Sequence, residues 1–325
     1  MENPQLNAAK SFELVQDGIR LVEARMYAQA DQHHPDLKAA LYYLLKAGGK
    51  RIRPTLTLLT GDMLHGDRQQ LVVLAAAIEL LHTATLVHDD LIDGALLRRG
   101  NPTLNTRWSP AATELTGDFL FAQAAKLAAE AGSQEAMLLF SETLNTIVNG
   151  EITQLFSSHG LTNREDYYRR IKAKTASLFR ASTAVAALVC PVGEEIIEAV
   201  SQYGHEVGMA FQIVDDVLDF IGDQETIGKP VASDLRQGLI TLPALYYLET
   251  NPEDKDLAKL MSGLSSDERV EKLVGSIYQS GAIHKALDEA RVFAERAITA
   301  LSKLPDSPEH RALEELAYYI VKRPL

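Results

Sequence analysis

Cysteine is almost absent from this sequence: Cys190 is the single one among 325 residues. A lone cysteine excludes an internal disulfide framework, and it fits a protein of a reducing compartment. On an apolar helix such a residue is usually a small buried hydrophobe rather than a reactive thiol. We therefore expect a fold that is stabilised by side-chain packing.

Aromatic residues and positive charge are also scarce. Phe, Trp and Tyr make up 6% of the chain, whereas Ala and Leu are abundant, which favours packed helices over a β-sandwich. The formal net charge of −12 argues against nucleic acid as a partner. Local clusters of basic residues are informative for the same reason, because they stand against an acidic background.

Export and membrane signals are weak. The first ten residues lack the apolar core of a signal peptide. Residues 71–92 are apolar and long enough to cross a bilayer, but they include Glu79, His82, Asp89 and Asp90. A buried helix explains this stretch better than a transmembrane segment does. We expect a soluble, cytoplasmic protein.

Helical periodicity covers most of the chain, and strand-length alternation does not recur. The periodic segments are approximately 11–30, 36–47, 54–65, 69–92, 111–130, 134–157, 165–190, 195–221, 240–250, 267–279, 281–303 and 308–322. Glycine- and proline-containing turns separate them, with Pro54 and Pro110 at the first helical positions. The sequence predicts a single all-α domain, residues 1–325, built as one large helical bundle.

Two acidic motifs of the form DDxxD end two of the apolar helices. One is Asp89-Asp90-Leu91-Ile92-Asp93, and the other is Asp215-Asp216-Val217-Leu218-Asp219. Residues four apart share a helix face, so the first and last Asp of each motif point the same way. Such carboxylates repel unless a cation lies between them, and Mg²⁺ bridges carboxylates to phosphate oxygens. One copy could be a solvated helix end, but two copies on apolar helices indicate metal sites.

Basic groups flank these motifs in the sequence. Gly48 and Gly49 form a turn before a helix, and Lys50 and Arg53 add positive charge where the helix N-terminus already favours an anion. Arg98 and Arg99 follow the first acidic helix after a short loop, and a guanidinium suits phosphate oxygens. Each cluster alone would be an ordinary charged loop. Together with two metal motifs they predict a pocket for diphosphates.

The remaining polar residues are less informative by themselves. Lys174, Thr175 and Lys229 could join the pocket, but their spacing does not show it. His82, two helical turns before Asp89, would usually be a satisfied core residue. The sequence contains no catalytic triad, zinc-ligand spacing or Walker loop.

At this point the motifs resemble those of a known family, the trans-prenyl (polyprenyl) diphosphate synthases. The matching segments are GGKRIRP (48–54), LLHTATLVHDDLID (80–93), RRGNPTLN (98–105), GEITQ (150–154), KT (174–175), FQIVDDVLDF (211–220) and GKPVASDLRQGLITLP (228–243). They occur in the family's order. The resemblance implies the type I isoprenoid synthase fold, an all-α bundle around a central cavity, and a homodimer.

The resemblance also implies roles for individual residues. Three Mg²⁺ ions would be held by Asp89, Asp93 and Asp215, with Asp219 near the last ion. The allylic diphosphate would be bound by Arg98, Lys174, Thr175, Gln212 and Lys229, and isopentenyl diphosphate by Lys50, Arg53, His82 and Arg99. Asp89, Asp93 and Asp215 are therefore the expected catalytic residues.

Product length depends on the helical turn before the first motif. In this family, bulky residues there stop growth of the tail, but here the positions hold Ala84 and Thr85. The tunnel should therefore stay open at this depth, with Leu81 and Ile78 as the next candidates for its floor. This pattern favours a medium- or long-chain product. Geranylgeranyl or farnesyl diphosphate synthesis, a terpene cyclase of the same fold and the catalytic subunit of a two-component enzyme are alternatives.

Overall fold

The computed structural model describes residues 11–31, 33–46, 48–98, 100–156, 163–221, 231–261 and 266–322, and the all-α prediction is confirmed. The helices are α1 (Gln16–Ala28), α2 (Pro35–Lys46), α3 (Ile52–Met63), α4 (Arg68–Ile92), α5 (Pro110–Glu130), α6 (Gln134–Phe156), α7 (Arg164–Ile171), α8 (Ser177–Leu188), α9 (Glu194–Ile221), α10 (Ser233–Arg236), α11 (Leu242–Thr250), α12 (Lys255–Met261), α13 (Asp267–Gln279), α14 (Ala282–Leu301) and α15 (Pro308–Val321). A two-residue β-hairpin, β1 (Leu97–Arg98) and β2 (Asn101–Pro102), is followed by a 3₁₀ turn, Leu104–Thr106.

Local capping explains why several helix starts agree with the sequence. Asp67 begins α4 by accepting a hydrogen bond from the Gln70 N–H, and Ser109 does the same for Ala112 ahead of Pro110 in α5. Such side chains satisfy N–H groups that have no partner within the helix. These signals are local in sequence, so the sequence alone reveals them.

Three features differ from the sequence-based assignment. Helix α3 begins at Ile52 rather than at Pro54, which sits in the first turn where its missing N–H costs nothing. The segment expected as one helix over 165–190 is interrupted by a π-helical stretch, Lys172–Ala176, between α7 and α8. The polar stretch after Asn251 includes a short helix, α12.

Helix α4 lies in the core. All residues from Leu71 to Leu81 are buried, and α1, α3, α5 and α8 pack around it. The helix is long and apolar enough to span a membrane by composition, but 72% of its most apolar window is buried inside the protein. Its apolar character is therefore explained by packing against other helices.

Helices α8 and α9 approach each other closely at glycine. A Cβ atom on Gly204 would lie 2.7 Å from the carbonyl oxygen of Phe179 and 3.0 Å from the Cα of Arg180, and it would overlap the hydroxyl of Thr183. Backbone atoms cannot move aside as a flexible side chain can. This contact helps fix the position of α9, whose last two turns carry the second acidic motif.

Gly204→Ala is expected to destabilise the protein by ~1–3 kcal/mol, because the added methyl group overpacks this contact. Gly275→Ala is the matched control, since among the described residues no atom beyond its chain neighbours and the nearby backbone of its own helix lies within 4 Å of the added Cβ. That helical substitution should raise the free energy of unfolding by up to about 1 kcal/mol. Urea denaturation of both variants tests the contrast, and equal effects would contradict it.

Candidate active site

A cavity of about 480 Å³ opens between the α2–α3 loop, α4, the β-hairpin and α9. Its lining includes five of the residues selected from the sequence: Lys50, Arg53, His82, Arg98 and Asp215. Asp90 of the first motif also contributes. The fold thus brings both acidic motifs and the first basic cluster to one space.

In this structure the ammonium group of Lys174 lies beside the first acidic motif. The Lys174 Nζ lies 3.2 Å from an Asp89 oxygen and 2.9 Å from Glu151 Oε1 of α6. Burial disfavours the charge on Lys174, but Asp89 and Glu151 outweigh burial and raise the pKa of Lys174. Burial also raises the pKa of Glu151, Lys174 opposes that rise, and Asp89 and Asp93 reinforce it. The protein itself therefore places a positive group between these carboxylates.

Asp90 has a different role from its neighbours. Its side chain is 11% exposed and receives hydrogen bonds of 2.8 and 2.9 Å from the Nε of Arg98. The Arg98 Nη2 lies 2.8 Å from the same carboxylate. This pair fixes Arg98 at the cavity wall, close to the end of α4.

The second motif places its first Asp, rather than its second, at the cavity. Asp215 lines the cavity, whereas Asp216 is buried and accepts hydrogen bonds from Tyr167 Oη at 2.7 Å and Gln212 Nε2 at 2.8 Å. Burial, with a contribution from Asp234, raises the pKa of Asp216 to about 7. Gln212 Oε1 in turn accepts a 2.6 Å hydrogen bond from the Thr175 hydroxyl.

Asp219 has backbone partners. Its two carboxylate oxygens each accept a 3.1 Å hydrogen bond, one from the Ser233 N–H and one from the Asp234 N–H at the start of α10. This contact attaches α10 to the end of α9. Any metal-binding role for Asp219 would share the carboxylate with this structural contact.

The basic cluster has partners that are distant in sequence. The Lys50 Nζ lies 3.1 Å from the hydroxyl of Tyr319 on α15 and 5.3 Å from the centre of its ring. The Arg53 guanidinium lies 4.7 Å from the ring centre of Phe179. Sequence reasoning gave no role to Glu151, although it lies in the matching segment GEITQ (150–154), and it missed Tyr319, for which helical periodicity gives no sign. Arg99 and Lys229 lie outside the described residues.

Comparison with known proteins agrees with this arrangement. Residues 34–279 match the polyprenyl synthetase family. The chain belongs to this family. It is a trans-prenyl diphosphate synthase, a prenyltransferase with the isoprenoid synthase fold.

Individual relatives cover almost the whole length of this prenyltransferase. Component 2 of the heptaprenyl diphosphate synthase of Bacillus subtilis is 35% identical over 314 residues, which are 96% of this chain and 90% of that one. The octaprenyl diphosphate synthase of Escherichia coli is 33% identical, covering 98% and 99%. A Caulobacter crescentus polyprenyl synthase, solved with calcium and isoprenyl diphosphate, superimposes with a TM-score of 0.93 at 34% identity, covering 97% and 98%.

The acidic residues of this prenyltransferase are suited to a hard divalent ion. They supply oxygen donors only, and Lys174 shows that a cation is favourable beside Asp89. In the part of the chain that the structure describes, no three His, Cys, Asp or Glu side chains enclose an ion-sized space. Mg²⁺ usually keeps several waters and uses substrate phosphates as ligands, so it does not need an all-protein cage.

The cavity follows the face of α4 that carries Glu79 and His82, not the face that carries Ala84. Thr83, Leu86 and Val87 line it, but Ala84 is fully buried by its neighbours. Leu81 and Ile78, the candidate floor, are likewise buried. The open tunnel expected past Ala84 therefore stays a prediction, since the cavity described here follows a different face of α4.

Proposed function

We propose that this prenyltransferase condenses isopentenyl diphosphate head-to-tail with an allylic diphosphate, using Mg²⁺, and makes a trans-polyprenyl diphosphate of medium or long chain. The main support for the proposal is that acidic and basic side chains line different parts of one cavity. Asp215 lies at its acidic side, and Lys50, Arg53 and His82 lie on the other elements of its wall. One diphosphate would be bound through metal and the other through side chains. We also propose that the protein acts in the cytoplasm.

The allylic diphosphate would bind at the ends of α4 and α9. Mg²⁺ held by Asp89, Asp93 and Asp215, with Asp219 nearby, would supply positive charge that stabilises the departing diphosphate. The Lys174 Nζ now lies 3.2 Å from Asp89. When the diphosphate binds, a rotation of the Lys174 side chain would replace this contact with one to a diphosphate oxygen. Arg98, Thr175, Gln212 and Lys229 would complete the diphosphate contacts.

Isopentenyl diphosphate would bind to Lys50, Arg53, His82 and Arg99. The apolar side chains of Leu86, Val87 and Phe211 line the same cavity and would exclude water from the allylic cation. The isopentenyl double bond would attack that cation, and the proton lost afterwards would pass to the departing diphosphate. The reaction therefore needs no protein general base.

The purified protein alone, with isopentenyl diphosphate, Mg²⁺ and dimethylallyl, farnesyl or geranylgeranyl diphosphate in turn, tests this function by mass spectrometry of the products. A ladder that ends at a defined length supports the proposal. Omission of Mg²⁺ with added EDTA is the control and should abolish the ladder. No elongation with any primer would contradict a self-sufficient synthase, and activity only with an added protein would indicate the catalytic subunit of a two-component enzyme.

Asp89→Ala and Asp215→Ala are each expected to lower kcat by about 10³-fold or more, because each removes a ligand that stabilises the leaving group. The helical content measured by circular dichroism should not change. Asp17→Ala is the matched control, since its side chain is 92% exposed in α1, and it should keep normal turnover. Near-normal turnover of either motif variant would refute the metal assignment.

Thr85→Phe is expected to shorten the longest product, because the half-buried Thr85 can accept an aromatic ring beside the growing tail. Ala84→Phe should shorten it too, at a cost in stability of ~1–3 kcal/mol, since Ala84 has no free space around it. Thr146→Phe on the exposed side of α6 is the control and should leave the product unchanged. Mass spectrometry of the products tests this prediction. An unchanged ladder in Thr85→Phe would mean that the tail takes another path.

We further propose that two copies of the chain form a homodimer through α6. Leu138, Val148, Ile152 and Leu155 are 41–59% exposed and recur at helical spacing along one face of this helix. Exposed apolar stripes of this kind are typical of protein interfaces.

Ile152→Glu is expected to halve the mass measured by light scattering, because it places a charge within that stripe. Leu21→Glu, at a residue 53% exposed on α1, is the control and should remain a dimer. A wild-type protein that is monomeric throughout the micromolar range would contradict the proposal.

A further inference from the structure

Arg51 lies between the two predicted isopentenyl diphosphate ligands Lys50 and Arg53, yet its side chain points away from solvent. The side chain is 11% exposed and forms part of the cavity lining. Its Nη1 donates a 2.9 Å hydrogen bond to Glu79 Oε1, and its Nε donates a 3.0 Å hydrogen bond to Glu23 Oε1. Its Nη2 donates at 3.0 Å to the carbonyl of Leu45, at the end of α2. One side chain therefore joins the loop to α1, α2 and α4.

The backbone at Arg51 is also unusual. Its φ of 48° lies in the left-handed region, which a residue with a long side chain seldom adopts. Such a conformation persists where surrounding contacts determine it. The three hydrogen bonds of the guanidinium supply those contacts, and they leave Lys50 and Arg53 at the cavity wall.

Glu79 is the main electrostatic partner of Arg51. This carboxylate is 7% exposed, lines the same cavity and precedes His82 by one helical turn. A negative charge at that place would repel a diphosphate and would be costly to bury without a partner. The Arg51 guanidinium neutralises it.

We propose that Arg51 is a positioning residue for the isopentenyl diphosphate site, acting through Glu79. It cancels the charge of Glu79 within an anion-binding cavity and fixes the loop that carries Lys50 and Arg53. The inference rests on the proposed function, because it assumes that isopentenyl diphosphate binds at these residues. The allylic site, at the ends of α4 and α9, should be insensitive to Arg51.

Steady-state kinetics of the Mg²⁺-loaded enzyme, with isopentenyl and farnesyl diphosphates varied separately, test this. Arg51→Gln is expected to raise KM for isopentenyl diphosphate about tenfold or more, and to leave KM for farnesyl diphosphate within about twofold. Arg51→Gln with Glu79→Gln should recover most of the loss, because the uncompensated charge is gone. Arg68→Gln, which removes an arginine paired with Asp62 outside the cavity, is the matched control and should change neither KM.

Two further variants keep the test decisive. If Arg51→Gln does not fold, Arg51→Lys retains the charge but lacks the planar fork that reaches three acceptors, and it should raise KM for isopentenyl diphosphate alone by a few fold. Equal increases in both KM values, or no recovery in the double variant, would show a merely structural role and overturn the inference. Lys50→Ala separates the two proposals: if it leaves KM for isopentenyl diphosphate unchanged, the site itself is assigned wrongly.

Discussion

Like charges converge at the ends of α4 and α9, and the rest of the site depends on how the fold tolerates them. Asp89 and Asp93 of the first motif lie near a third carboxylate, Glu151, and the Lys174 ammonium lies between Asp89 and Glu151. Without that ammonium group, Asp89 at the end of α4 and Glu151 on α6 would repel each other, and burying them would cost free energy. On the proposed function the same carboxylates would hold a divalent ion, because a place that stabilises an ammonium group also favours a metal cation.

Within each acidic motif, the first and the second Asp have different partners. In each of them the second Asp has fixed side-chain partners: Arg98 neutralises Asp90 at the cavity wall, and Tyr167 and Gln212 donate to the buried Asp216. The first Asp of each motif is left near the cavity or its cation. Polar partners of the second Asp thus hold the end of each helix in place, and with it the first Asp of the motif. The basic side of the cavity follows the same principle, with Arg51 buried between Lys50 and Arg53.

Most of the helices could be predicted because their signals are short-range. The alternation of apolar residues, Asp67 and Ser109 as caps, and Pro110 at a first position are all properties of neighbouring residues. The π-helical stretch at Lys172–Ala176 could not be predicted in this way. It carries Lys174 and Thr175, whose partners come from α4, α6 and α9. Prediction was thus weakest at residues whose contacts are distant along the chain.

Periodicity and residue types at fixed spacing were enough to predict the helical class, the family and the chemical nature of the site. The folded chain was needed to show which cation neutralises Asp89, that Tyr319 lies beside Lys50 and that Arg51 faces Glu79. It also showed that Ala84, although small, is enclosed rather than open to the cavity. The physical reason is the same in each case. The sequence gives a side chain's charge and size. Its partners and the free space around it depend on helices that pack together only in the folded chain.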